Sequence, residues 1–332
     1  MAAHYLVLIA IRAPLPAEYW IREFIIVKRY QASAMPSPKL IFSGGSCTLF
    51  GIDAAAVQKS LQIPAINLGL HAAMRLEDHL AEARSVAKPG DIIILSLEPA
   101  YYDTYTAKWN TWDLRNALAW DRASLDSLPL KRRCQIYFES SDVSISWDLL
   151  TADVSQRFFP ASVSRRLEAL APDQTIIDRY LSERETMRTF AYDIDNLDAN
   201  GDLLNIRNDG PLFTGNTWAP TRPITISSYA ENLLVPFLEE MKNRHVRVIF
   251  DYTPYLVYKT PGDEWKESET RFQEEIHRLG GELLEERDAF FYPNTFFFNS
   301  NLHLNEQGRQ ARTQVLIEAL RKKLKTTVMT AP

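Results

Sequence analysis

Four short stretches of this chain hold the residue types needed for acyl transfer. Ser46 stands in "IFSGGSCTLFGID" (residues 41–53), where Gly44 and Gly45 permit a tight turn out of an apolar run and into helical spacing. A serine at such a corner can attack an ester carbonyl if a base takes its proton. The candidate base is His303, in "FFFNSNLHLNEQG" (296–308), just ahead of the last helical segment. Asn67 and Gly69, in "NLGL" (67–70), close a second apolar run. Glu98 closes a third. Each has a plainer reading: a serine before a helix is often its N-cap, "NLG" is often only a turn, and His303 could simply flank the last helix. What favours chemistry is the joint order: serine after the first strand, glycine after the second, histidine before the last helix.

The elements that must position them follow from periodicity. "KLIFSGGS" (39–46), "PAINLGL" (64–70), "DIIILSLE" (91–98) and "VRVIFDYTP" (246–254) read as buried strands, with a last short one inside "GELLEERD" (281–288). Residues 39–46, 64–70, 91–98 and 246–252 are expected as neighbouring parallel strands. "TLFGIDAAAVQKSL" (48–61) reads as one helix, "RLEDHLAEARSVA" (75–87) as an amphipathic helix, and helices are expected again near 227–245, 264–280 and 304–324, with Pro236 as a kink in the first of these three. Strands alternating with helices predict a doubly wound α/β sheet, whose ligands bind at the carboxyl ends of the strands. The candidate residues lie at that edge or in a loop that can reach it. Residues 103–223, with Trp109, Trp112, Trp120, Trp147 and Trp218, break the rhythm and read as a mainly helical insertion. Its tryptophans suit stacking on a sugar, although most tryptophans of this kind serve a core.

Composition narrows the function class. The 332 residues carry a net charge of −5, with only the short basic runs "KRR" (131–133) and "RKKLK" (321–325), so a nucleic-acid partner is not expected. Cys47 and Cys134 have neither the number of a disulfide framework nor the spacing of a metal site. "GGSCTLFG" lacks the dinucleotide-binding and P-loop spacings, and no cofactor is expected. Cys47 is not read as the nucleophile, because it begins the helix and points away from the corner. The N-terminal "YLVLIAI" (5–11) stops at Arg12, Pro14 and Pro16, well short of the roughly 20 residues of a membrane span. It reads either as a buried segment of a cytoplasmic protein or as the tail of a signal-anchor; "PAEYWIREFIIVKRY" mixes aromatic and basic residues as a membrane interface does. The first 30 residues are expected to pack poorly on the domain.

The blocks "GGS" (44–46), "NLGL" (67–70) and "NSNLH" (299–303) resemble those of the SGNH (GDSL-like) hydrolase superfamily. More closely, "SGGSCTLFGID", "INLGLHA", "KPGDIIILSLE" and "HLNEQGRQ" look like envelope proteins of polysaccharide O-acetylation systems, similar in kind to the alginate acetylation proteins. The resemblance covers roughly 39–102 and 225–325. It implies a three-layer α/β/α, flavodoxin-like parallel sheet at 39–102 and 224–326, a membrane-proximal segment at 1–38 and an insertion or subdomain at 103–223. It implies Ser46 and His303 as catalytic residues with Asn299 as orienter, and Ser46, Gly69 and Asn67 as the oxyanion hole. The implied activity is ester hydrolysis or O-acyl transfer on a polysaccharide or small ester in the cell envelope or periplasm, with a membrane-bound acyltransferase as a partner; the alternative is a degenerate fold that binds carbohydrate or scaffolds such a complex. The chain departs from the pattern where an aspartate would precede the histidine block, since Asn299 and Ser300 stand there, and where "SLEPAYYD" replaces the third block. Asp103, Asp251 and Asp288 are substitute acids.

Overall fold

Leu40–Gly44 is buried along its whole length, and Ile92–Ser96 and Arg247–Asp251 are buried at four of their five positions. Strands apolar on both faces belong inside a sheet covered on both sides. A computed structural model, which describes all residues but 1, 141, 208–212, 216–222, 260–261, 286 and 330–332, places them so. The chain runs through α1 (Ala2–Ala10), α2 (Tyr19–Ala34), β1 (Leu40–Gly44), α3 (Ser46–Gly51), α4 (Ala54–Leu61), β2 (Ala65–Asn67), α5 (Leu76–Val86), β3 (Ile92–Ser96) and α6 (Pro99–Asp103). Six helices follow: α7 (Thr111–Trp120), α8 (Arg122–Ser127), α9 (Leu130–Ser140), α10 (Val143–Phe158), α11 (Ser164–Ala169) and α12 (Asp173–Glu183). The chain then returns through α13 (Ser228–Asn243), β4 (Arg247–Asp251), β5 (Tyr255–Leu256), α14 (Lys266–Arg278), β6 (Glu282–Leu283), β7 (Phe291–Tyr292) and α15 (Glu306–Met329).

The main sheet has the order β2-β1-β3-β4-β6 and every pair is parallel, as expected from the four buried runs; β5 and β7 form a separate two-stranded pair. Because the strand order reverses between β1 and β3, right-handed crossovers send α4 to one face and α5, α13 and α14 to the other. Accordingly α15 packs with α4, and α13 with α5. Register aligns Gly44 with Ser96 and Ser96 with Asp251, so Ser46, Glu98 and Asp251 share the carboxyl edge.

The single helix expected over 48–61 is two. Ile52 is extended (φ −127°, ψ 139°), and the Asp53 carboxylate accepts the Ala56 N–H at 2.7 Å as the N-cap of α4. The side-chain cap competes successfully with helix continuation. Pro236 lies inside α13, which runs from 228 to 243 as one element.

The chain divides into two compact units: residues 1–26 with 106–182, and residues 27–105 with 183–332. The first is helical and has its own core, including Leu8, Leu15, Leu114, Leu118, Ile136 and Leu149. The second carries the sheet and its larger core. The stretch expected as one insertion is therefore divided, and residues from 183 onward belong with the sheet. The N-terminal segment does not pack poorly: Leu8, Leu15, Ile21 and Phe24 are fully buried. No described helix is long and apolar enough to cross a membrane. Trp109 and Trp120 pack against the first unit's core, Trp147 is exposed, and Trp218 lies outside the described residues.

Candidate active site

Ser46 opens α3 directly after β1 and is largely buried. Its hydroxyl has no hydrogen-bond partner among the described residues, so it is not spent as a cap. The Glu98 carboxylate fills the space beside it: a Cβ at Gly45 would lie 2.4 Å from Glu98 Oε1. Glu98 Oε1 accepts the Cys47 N–H at 3.1 Å, which satisfies one free donor of the first turn of α3. Burial raises the pKa of this carboxyl and favours its neutral form beside the serine. The Cys47 thiol points to the Ser96 carbonyl (3.6 Å), and burial with the neighbouring Glu98 pushes its pKa well up, so it is an inert core thiol.

Arg312, on α15 and fully buried, fastens this corner to the sheet. Its Nη1 donates to the Cys47 carbonyl at 2.8 Å, and its Nη2 to Asp251 Oδ2 (2.9 Å), Ser96 Oγ (3.2 Å) and the Tyr252 carbonyl (2.9 Å). Asp251 is thereby occupied with Arg312 and Ser96 and does not orient the histidine. Asp103 ends α6, and the Asp288 side chain lies outside the described residues.

His303 lies flat on Phe50 of α3, with ring centroids 4.1 Å apart and planes 7° from parallel. Its Nδ1 meets Asn299 Oδ1 at 2.6 Å. An amide oxygen accepts, so Nδ1 carries the proton and Nε2 keeps its lone pair, the tautomer a general base requires. The loop holding both is closed by the Phe298 N–H donating to the His303 carbonyl at 2.8 Å. Desolvation, with His71 as the smaller cause, lowers the His303 pKa to about 3, and the ring is neutral near pH 7. The expected hydrogen bond between Ser46 and His303 is not made. The two share α3 instead, because His303 stacks on the residue one turn beyond the serine. Phe190, Tyr192 and Phe298 gather on Phe50 around this ring.

Gly69 and Asn67 are brought to the same corner, but their donors turn inward. A Cβ at Gly69 would stand 2.2 Å from Leu49 N, so only glycine lets this turn lie against α3. The Gly69 N–H donates to Asn67 Oδ1 (2.8 Å), and Asn67 Nδ2 donates to the Thr48 and Ile52 carbonyls and to Asp202 Oδ1 (3.2, 3.3 and 3.1 Å). Both expected oxyanion donors thus splice the turn to α3, and the Ser46 N–H is the one left at the corner. Beneath them the Lys28 ammonium, fully buried, donates to the Asn67 and Gly69 carbonyls at 2.9 Å each. Burial lowers the Lys28 pKa to about 7, and burial with Asp198 raises that of Asp202 to about 7.

Sequence reasoning missed Lys28, His71, Asp202 and Arg312. Two left a signal. His71 directly follows "NLGL", and Arg312 falls on the face of α15 that carries buried Leu316 and Ala319, where an arginine needs a partner. Lys28, in "IIVKRY", looked like an interfacial charge, and nothing local marks Asp202.

No family model matches this chain, and no curated protein matches it. Among solved structures, an acetyl xylan esterase (Est2A) from the rumen bacterium Butyrivibrio proteoclasticus is similar at 13% identity with a TM-score of 0.26, over 88% of this chain. The matched region spans 65% of that protein's length. A likeness this slight carries no weight for fold or activity, and the chemistry rests on the residues themselves.

Proposed function

We propose that this protein cleaves or transfers an ester acyl group through Ser46, acting on an acylated carbohydrate. The observation that carries the reading is the orientation of His303: Nδ1 is tied to Asn299, Nε2 keeps its lone pair, and the ring is fixed on α3, whose first residue is an uncommitted serine. In the reaction the Ser46 hydroxyl attacks the carbonyl carbon while His303 Nε2 takes its proton. The oxyanion meets the Ser46 N–H at the opening of α3. The imidazolium returns the proton to the leaving oxygen, and water or a sugar hydroxyl then releases the acyl group from the serine. Productive binding must bring the His303 loop closer to Ser46, since catalytic hydrogen bonds are often loose before substrate arrives. Phe190, Tyr192 and Phe298 support a carbohydrate substrate, because their rings beside His303 suit the apolar face of a sugar. An exported polysaccharide in the cell envelope is the setting we infer, and a membrane-bound acyltransferase the partner; both rest on the resemblance of the sequence blocks.

A second reading, a carbohydrate-binding or scaffolding protein without turnover, is favoured by the unmade Ser46–His303 bond and by the lack of a charged partner for His303. Hydrolysis of para-nitrophenyl acetate and of an acetylated oligosaccharide separates the two. The catalytic reading expects activity that Ser46→Ala and His303→Ala each abolish with the fold intact. Activity unchanged in either variant, or none in the parent protein, favours the binder.

A further inference from the structure

Eleven of the thirteen exposed large hydrophobic side chains among the described residues belong to the helical unit, and five of them make one line on α10. Val143, Trp147, Leu150, Val154 and Phe158 are 75%, 67%, 40%, 50% and 71% exposed. At about 100° per residue they fall within an arc of roughly 80°, along about 22 Å of helix. The opposite face already holds the unit's core through Ile145, Leu149 and Ala152. An apolar arc this narrow is the width of a helix–helix seam; a helix lying in a bilayer surface shows a broad apolar face bordered by Lys and Arg.

The stripe is complementary to itself. An antiparallel pair of α10 helices related by a two-fold axis beside Leu150 sets Val143 opposite Phe158, Trp147 opposite Val154, and Leu150 near its own copy. Each large aromatic thus faces a valine on either side of the central Leu150 pair, the pattern that fills a seam without voids. Charge does not oppose the pairing. Residues 1–26 and 106–182 carry twelve Lys/Arg and twelve Asp/Glu, so copies of the unit do not repel, and an anionic membrane gains little from it. The charged residues of α10 are tied within the chain, Asp153 to Arg157 and Asp148 to Arg115. One border of the stripe is the uncharged series Ser144, Thr151 and Ser155. The stripe and adjoining Phe159 offer on the order of 700 Å² of apolar side chain, taking about 150–250 Å² for a whole aromatic side chain and scaling by exposure. A standard stable interface buries about 800 Å² per partner.

We propose that this face is a dimer interface, with α10 packing antiparallel against α10 of a second copy. Sedimentation of the full chain at about 10–50 µM is then expected to show a dimer. Trp147→Glu, which places a charge in the seam, is expected to weaken it about 100-fold without changing the circular dichroism spectrum. In a Cys134→Ser background, Leu150→Cys is expected to form an interchain disulfide under mild oxidation, and Gln156→Cys, off the stripe, is not. A monomer throughout that range overturns the proposal, as does a dimer indifferent to Trp147→Glu. A monomer that floats with phosphatidylcholine–phosphatidylglycerol vesicles and loses this on Trp147→Glu assigns the stripe to lipid instead. Ester hydrolysis is read separately, because none of these residues belongs to the Ser46 site.

Discussion

Replacing Asn299 by aspartate places a carboxylate where an amide now holds His303 Nδ1 at 2.6 Å. The amide oxygen offers the histidine only a neutral acceptor when it becomes cationic in the transition state; a carboxylate would add a full opposite charge. At about 4 Å, two unit charges attract by roughly 1 kcal/mol in water and roughly 4 kcal/mol at the effective dielectric near a protein surface. Asn299 is exposed, so solvent screening puts the gain toward the lower end, at about 1–2 kcal/mol. That corresponds to a rise of roughly 5- to 30-fold in kcat/KM for para-nitrophenyl acetate. The His303 pKa rises with it, by about one. Rates across pH, together with an imidazole titration followed by NMR, read both quantities on one variant. If the His303 pKa rises while kcat/KM stays at the parent value, His303 is not the base and the proposed chemistry fails.

Other expectations follow from the same contacts. In the parent protein, kcat/KM is expected to hold level from pH 8 to pH 5, because the His303 pKa is lowered to about 3; an acid limb near pH 6.5 would contradict that. The folded pKa is depressed, so the stability from the neutral ring is present above about pH 6.5 and is lost as pH falls toward 3, which melting curves at fixed ionic strength will show as a decline. Arg312→Met leaves Asp251 buried and unpaired and is expected to cost about 3–5 kcal/mol in urea unfolding, with a loss below 1 kcal/mol refuting the anchoring role. Gly69→Ala drives a methyl into the α3 backbone and is expected to cost about 1–3 kcal/mol and to lower activity; a variant with parent stability would show that the turn can retreat from α3.

The sheet was legible because its strands are apolar on both faces and bounded by turn residues, so Leu40–Gly44 and Ile92–Ser96 have no other place to go. The convergence of Ser46, Asn67, Gly69 and Glu98 at one edge follows from that sheet, since each closes a strand. The finer geometry was not legible. Whether Gly69 points its N–H at a substrate or at Asn67 depends on a side-chain torsion and on Asp202, 135 residues away in sequence. The break at Ile52 depends on Asp53 winning as a cap over helix continuation. The N-terminal segment misled because apolar and aromatic residues suit a core and a membrane interface alike; Lys28 buried under the 67–69 turn is a tertiary fact with no local mark. The unit boundaries at 26/27, 105/106 and 182/183 likewise depend on which core each helix joins.

Covalent labelling decides whether Ser46 is the nucleophile proposed here, activated by His303. The protein is treated with a fluorophosphonate, digested, and the modified residue located by mass spectrometry. One adduct is expected, on Ser46, formed by the parent protein and greatly slowed in His303→Ala. A protein that stays unlabelled, carries the label on another residue, or labels Ser46 at the same rate without His303 would contradict it.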